Sequence, residues 1–219
     1  MKESFDILKK CPLFSGISEE SLIYVLGCLG ARIETYEKDT VILTEGDPAK
    51  YLGIILSGEA QIVRIDYYGN RSIVAYVDPP QIFGESSAYS SIEILPVSVI
   101  ASARTRAMLI EARKITMSCS NACSFHSQMI LNLLKVVADK NLVFHQKLEI
   151  TSKRSTREKL MTYLLQQAKK NNSNNFVVPY DRQELADYLE VERSGLSAEI
   201  SKLRSDGVLL CHKSEFTLL

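Results

Sequence analysis

Between Asp181 and Arg204 the sequence DRQELADYLEVERSGLSAEISKLR places Arg193, Ser194, Ser197 and Ser201, followed by Lys202 and Arg204, on what helical spacing makes one side of a helix. These are donor-rich groups suited to an acceptor-rich partner. The planar fork of an arginine matches the two acceptors on a guanine edge, so Arg193 is the expected base reader. The hydroxyls of Ser194, Ser197 and Ser201 can meet base or phosphate and specify weakly, while Lys202 adds positive charge. Arg182 and Gln183, at the start of the preceding helix, suit backbone phosphates, which position a protein on a duplex without reading its sequence.

Such groups are useful only if something holds them outward. Leu185 and Leu189 would face inward from a first short helix, Val191 would sit in the turn, and Leu196, Ile200 and Leu203 would face inward from a second. Ala186 lets the two helices cross closely. The opposite face of the second helix is then free to lie in a major groove, which is about one helix wide. Beyond it, DGVLLCHKSEFTLL alternates as two short strands around His212 to Ser214, a wing that would bring Lys213 to the backbone. The expectation is a winged helix-turn-helix from about Ser155 to Leu219 that binds double-stranded DNA. The same residues also fit a small helical packing domain with ordinary surface charge.

Lysine plus arginine equals aspartate plus glutamate at 26 each in 219 residues, so the chain is not a generally basic nucleic-acid coat. The asymmetry is local: residues 153–219 hold 11 basic and 9 acidic side chains, a net +2 against −2 for the rest. With 46% apolar residues the chain can bury a real core, which excludes disordered and fibrous classes. No apolar run approaches a membrane span and MKESFDILKK lacks a signal-peptide core, so a cytoplasmic protein without a membrane partner is expected. The cysteines Cys11, Cys28, Cys119, Cys123 and Cys211 lack CxxC spacing and read as reduced thiols, with no metal site. Cys119 and Cys123, four apart, could share a helix face or form an oxidation-sensitive pair.

Three periodicities follow one another along the chain. Residues 3–30 read as short helices with Leu8, Leu13, Ile17, Leu22, Val25, Leu26 and Leu29 inward and Ser18 able to cap a start. From Ala31 to Ile110 the runs TVIL, YLGIIL, AQIVRI, SIVAYV, VSVIAS and AMLIEA alternate with the turn signals EGDPAK, LSGEA and DYYGNRS, the spacing of an all-β sandwich or barrel. Residues 123–150 contain no glycine or proline, and Ile130, Leu134, Val137, Asn141, Phe144 and Leu148 form a heptad seam that two identical helices could share. Asn141 on that seam would fix register. The other reading lays the helix on its own barrel with Asn141 in solvent. TSKRSTR then opens a new helix with Leu160, Tyr163, Leu164 and Ala168 inward.

The order barrel, long helix, winged helix-turn-helix, together with Glu45-Gly46-Asp47, the run Leu56-Ser57-Gly58-Glu59-Ala60, Phe83-Gly84-Glu85 after Pro79-Pro80, and Arg193, resembles the CRP/FNR family of bacterial transcription regulators, over essentially the whole chain. The resemblance implies an α+β fold: an effector-sensing, cyclic-nucleotide-binding-like β-barrel of the jelly-roll type with N-terminal helices (1–122), a dimerisation helix (123–152) and a winged helix-turn-helix (153–219). It implies an effector pocket at Gly84, Glu85, Ser86, Ser87, Leu95, Pro96, Phe144 and His145. In the cAMP-binding relatives an arginine and a serine hold the phosphate where Leu95 and Pro96 stand here, and a hydroxyl pair lies near Phe144 and His145, so cAMP is not the expected effector. Four thiolates at cluster spacing are missing, which disfavours an iron–sulfur cluster, and His126, His145 and His212 form no haem pattern.

Ser194 and Ala198 replace a common glutamate and arginine of that branch, so a different half-site is expected. Glu192 stands where a capping serine is usual and Glu190 where glycine is usual, a strained choice if φ is positive there. The resulting expectation is a homodimeric, non-enzymatic regulator reading a two-fold operator, controlled by a small molecule other than cAMP, with a hinge near Thr151 to Ser155 and with RNA polymerase as a further partner if it activates. A jelly-roll enzyme is disfavoured by the absence of histidine from Ala31 to Ile110. A ligand-sensing dimer without operator recognition is the alternative.

Overall fold

The computed structural model describes residues 2–91, 93–117 and 124–219; Cys119 and Cys123 lie outside them. The chain forms two compact units, one of residues 1–69 and 74–140, the other of residues 70–73 and 141–219.

The first unit opens with α1 (Lys2–Lys10), a 3-10 turn (Pro12–Phe14) and α2 (Glu19–Leu29). Ser18 caps α2 by accepting from the Ser21 backbone N–H, as expected of a serine before an apolar-periodic run. The strands that follow are β1 (Arg32–Tyr36), β2 (Val41–Leu43), β3 (Tyr51–Ser57), β4 (Ala60–Ile65), β5 (Arg71–Val77) and β6 (Ile82–Phe83). After the short helix α3 (Glu85–Ala88) come β7 (Ser98–Ala101), β8 (Thr105–Glu111) and the short helix α4 (Arg113–Thr116). Among the described residues they build two four-stranded sheets, β1-β8-β3-β6 and β2-β7-β4-β5.

Each of the six β-rich runs picked out by pattern contains a strand. Two strands escaped that reading: β1, an exposed edge whose RIETY carries charge at alternate positions, and the two-residue β6. β3 explains why YLGIIL shows no alternation. Leu52, Ile54 and Leu56 pack into a core with α1, α2 and one face of the long helix, whereas Ile55 packs with Val77, Phe83, Leu95 and Val99 inside the roll. A strand buried on both faces is apolar throughout.

The long helix α5 (Ser124–Thr151) carries Met129, Leu133 and Val136 into the first of those cores. The Asn132 amide donates to the carbonyls of Leu13 and Ser15 at 3.0 and 2.7 Å, which ties the N-terminal turn to the same face. The heptad seam lies on another face, with Leu134 65%, Leu148 63%, Ile130 41%, Phe144 39% and Val137 37% exposed. None of the described helices is long and apolar enough to cross a membrane.

The second unit continues with α6 (Thr156–Asn171), β9 (Asn175–Val177), α7 (Arg182–Leu189), α8 (Arg193–Ser205), β10 (Leu209–His212) and β11 (Glu215–Leu218). Ser155 with Glu158, and Asp181 with Glu184, close reciprocal capping boxes that start α6 and α7. The wing is larger than the sequence suggested: β9 joins the hairpin to give the order β10-β11-β9.

Candidate nucleic-acid interface and effector site

α7 and α8 form the expected helix pair. Leu185, Ala186 and Leu189 of α7 and Leu196, Ile200 and Leu203 of α8 are buried together with Leu160, Tyr163 and Leu164 of α6. The turn between α7 and α8 is made by Glu190, at φ 54° and ψ 57°, with the Val191 N–H returning to the Ala186 carbonyl at 3.1 Å. A left-handed glutamate is the strained residue anticipated there. Lys159 supports it by donating to the Glu190 carbonyl at 3.1 Å. Glu192 begins α8 without a side-chain capping bond.

The outward face of α8 carries Arg193, Ser194, Ser197, Ser201, Lys202 and Arg204, all exposed. Ser201 donates to the Ser197 carbonyl at 3.0 Å, a bond within the helix that leaves its oxygen free to accept. The surface is donor-rich at its start and cationic towards its end, the chemistry a major groove and its flanking phosphates can meet. Gln183 is exposed and donates to Asp187 at 2.8 Å, one turn along the same helix. Lys213 sits at the tip of the hairpin, exposed and at φ 54°.

Arg182 has a different part from the one its position suggested. Its guanidinium is half-buried, donating to the Lys213 carbonyl and to Cys211 Sγ, each at 3.4 Å, and lying 5.9 Å from the Phe216 ring centroid. It holds the wing against the start of α7 instead of standing free for a phosphate. Ser214 reinforces the hold by donating to the Tyr180 carbonyl at 2.9 Å.

Behind this surface lies a cluster that sequence inspection missed. Tyr180 and Tyr188 stack at 4.8 Å with Tyr163 5.3 Å from Tyr188, and Lys147 of α5 places its ammonium 3.7 Å from the Tyr188 centroid. The same ammonium donates to the Tyr188 carbonyl. Burial pushes the Lys147 pKa down to about 8, opposed by nearby Glu190 and assisted by Lys159. Burial likewise pushes the Tyr188 phenol up to about 12.

In the first unit the residues around Gly84 form a tight turn from β6 into α3. Gly84 has φ 80°, and a Cβ there would stand 2.7 Å from the Tyr51 carbonyl, so the residue is fixed by both conformation and space. A Cβ on Gly53 would lie 2.0 Å from the tip of the Phe83 ring, so the absence of a side chain there makes room for the ring. The result aims Glu85 inward at 3% exposure. Ser86 donates to Glu85 Oε1 at 3.0 Å, and Ser87 is buried beside it.

Leu95, where a phosphate-binding cation was missing, is 4% exposed and belongs to the core. Its backbone N–H and carbonyl pair with Asp47 and Gly46 at 2.8 and 2.9 Å, while Pro96 is exposed. Phe144 and His145 are exposed on α5. The α5 side chain that reaches Glu85 is Lys140, at 3.0 Å, a residue sequence inspection had passed over. Cys11 is buried and its thiol is pushed up to about 11 by desolvation, so it is not a reactive thiolate at neutral pH.

The cyclic nucleotide-binding domain model matches residues 33–121 and the Crp-like helix-turn-helix domain model matches residues 158–219. The chain belongs to the CRP/FNR family of bacterial transcription regulators. CRP/FNR proteins are DNA-binding regulators and not enzymes. No curated relative matches. Among solved structures, FixK2 from Bradyrhizobium japonicum is similar at 21% identity, TM-score 0.67, over 86% of this chain and 92% of that one. CLP of Xanthomonas campestris, described as a c-di-GMP-responsive global regulator, is similar at 18% identity and TM-score 0.72, over 90% and 98% of the two chains. A CooA variant from Carboxydothermus hydrogenoformans gives 18% identity and TM-score 0.69, over 88% and 85%. At these identities the likeness is one of fold.

Proposed function

We propose that this CRP/FNR protein is a homodimer that reads a two-fold DNA operator through α8, with Arg193 as its principal base reader and a small molecule other than cAMP acting at the barrel. The observation that carries the reading is the pair of exposed, chemically opposite surfaces: the polar, cationic face of α8 and the apolar seam of α5. A row of Ile130, Leu134, Val137, Phe144 and Leu148, 37–65% exposed, is what a second copy would bury, each side chain contributing about half of the roughly 1.5–3 kcal/mol that full burial from water gives. Asn141 on the same row suits a two-stranded register. Two α8 helices related by that axis would enter successive major grooves about 34 Å apart.

In this proposal Ser194, Ser197 and Ser201 touch bases or phosphates, and Gln183, Lys202 and Lys213 touch phosphates. Arg182 acts one step back, by placing the wing that presents Lys213. The barrel to residue 122 is the sensing part, α5 the dimer part, and residues from 153 the DNA-binding part, with a hinge between Thr151, where α5 ends, and Ser155, the cap of α6. Contact with RNA polymerase belongs to the same proposal if the protein activates transcription.

The test is selection from a random duplex pool, with solution mass measured in parallel. Enrichment of a palindrome, salt-sensitive binding and a species of twice 24.6 kDa are expected. No enriched sequence, with or without cell extract, would favour a dimer that senses without reading an operator, the reading that the acidic Glu192 beside the α8 start and the small Ala198 support.

A further inference from the structure

Glu85 is compensated in a way the resemblance does not supply. Its Oε1 receives the Lys140 ammonium and the Ser86 hydroxyl, each at 3.0 Å, whereas Oε2 is buried without a hydrogen-bond partner. Lys140 also donates to the Ile82 carbonyl at 2.5 Å, and its side chain is 23% exposed. A carboxylate at 3% exposure is costly unless a cation stands beside it, and here α5 provides that cation from 55 positions along the chain.

The two positions that hold the phosphate in the cAMP-binding relatives offer an anion nothing here. Leu95 is a core residue and Pro96 has neither N–H nor hydroxyl, so a phosphate entering the turn would face Glu85 with the Lys140 ammonium already engaged. A positive, donor-rich group meets the opposite situation. It can take over Oε1 from Lys140, and a planar guanidinium has a second N–H for Oε2 in the parallel geometry carboxylates favour.

We propose that Glu85 anchors a cation subsite which the chain fills with its own Lys140, and that the barrel's signal molecule is a small organic cation, an amine or a guanidinium, which competes with Lys140 for this carboxylate. The signalling clause rests on the function proposed above; the subsite does not. Displacement frees α5 from β6 at Lys140, one residue before Asn141 of the seam, and so links occupancy of the barrel to the dimer helix.

The test removes the tether and replaces it from solution. Lys140→Ala lacks the atoms of an n-propylammonium ion, so that ion and low-millimolar guanidinium are the probes, with n-propanol and potassium chloride as controls. Saturable binding of one equivalent per chain by calorimetry is expected, with a rise of about 3–5 °C in the melting midpoint. Neither control should reproduce it, and Glu85→Gln combined with Lys140→Ala should abolish it. Absence of an amine response in folded Lys140→Ala, or an equal response without Glu85, overturns the subsite.

Should Lys140→Ala fail to fold, Lys140→Met and the double variant Glu85→Gln/Lys140→Met replace it. The double variant is expected to melt above the Lys140→Met single variant, because it no longer buries an unpaired carboxylate, and equal melting overturns the pairing. These readouts use no DNA, so they hold even if operator binding fails. The signalling clause is tested on the unaltered protein with guanidinium and the selected palindrome: at least a several-fold change in affinity is expected, and unchanged affinity at saturation overturns it.

Discussion

The two regions proposed to carry this protein's chemistry are built in opposite ways. On α8 the functional groups stand in solvent, held out by a small core behind them, and none of the six outward residues is buried. At Glu85 the functional group is buried, held in by Gly84 and Phe83, and its charge is met from within the chain. A surface that must recognise a large polyanion needs exposed donors and a rigid support. A sensor needs a desolvated group whose partner can be exchanged. The first can therefore be read residue by residue, whereas the second has meaning only through its partner.

The largest way to break the first half of this comparison is to deny the recognition helix its twin. Leu134→Glu combined with Leu148→Glu places acidic groups on the exposed seam and should give a stable monomer by light scattering, with operator affinity at least about 100-fold weaker through loss of the linked second contact. Next comes the aromatic cluster behind α8. The Lys147 pKa of about 8 lies below the ordinary lysine value of 10.5, so the folded state sheds this proton first. The Lys147 contribution to stability should thus be flat below pH 8 and rise by about 1–3 kcal/mol between pH 8 and 10.5, read by urea unfolding as the difference between the protein and Lys147→Met, because the raised Cys11 and Tyr188 groups lower the total over part of the same window.

Arg193→Ala sharpens the contrast between reading and positioning. It should cost about 1–3 kcal/mol on the selected operator and relax preference at one base pair per half-site, without altering the melting midpoint. Retained specificity would move the reading role elsewhere on α8. The smallest expected effect is a gain: Glu190→Gly relieves a left-handed glutamate and should stabilise the second unit by about 0.5–1 kcal/mol by thermal unfolding.

What could be read in the sequence followed from local signals. The capping serine at 18, the uninterrupted α5 pattern and the inward leucines of α7 and α8 each declare themselves within a few residues, and the structure places them as expected. β1 escaped because its mostly exposed, charge-bearing RIETY offers no apolar run to pick out, and β9 because three residues hold no period. Lys140, Lys147 and the contact of Arg182 with the wing escaped for a different reason. Each is defined by a partner 29 to 58 positions away, and a basic side chain on a helix gives no local hint that its ammonium or guanidinium is destined for a buried carbonyl, a tyrosine face or a wing. The resemblance fixed the carboxylate at Glu85; it could not say what the carboxylate touches.

β3 has a consequence for how this fold can vary. Its side chains are divided strictly between two cores, Leu52, Ile54 and Leu56 on one side and Ile55 on the other, with Gly53 making room for Phe83. A slip of one residue would exchange every assignment at once, putting three large side chains where Tyr51, Gly53 and Ile55 now fit and closing the gap under the ring. The strand therefore acts as the ruler against which both sheets are measured. Insertions and deletions belong in the turns around it, and a single residue added between Tyr51 and Leu56 should be among the least tolerated changes in the chain.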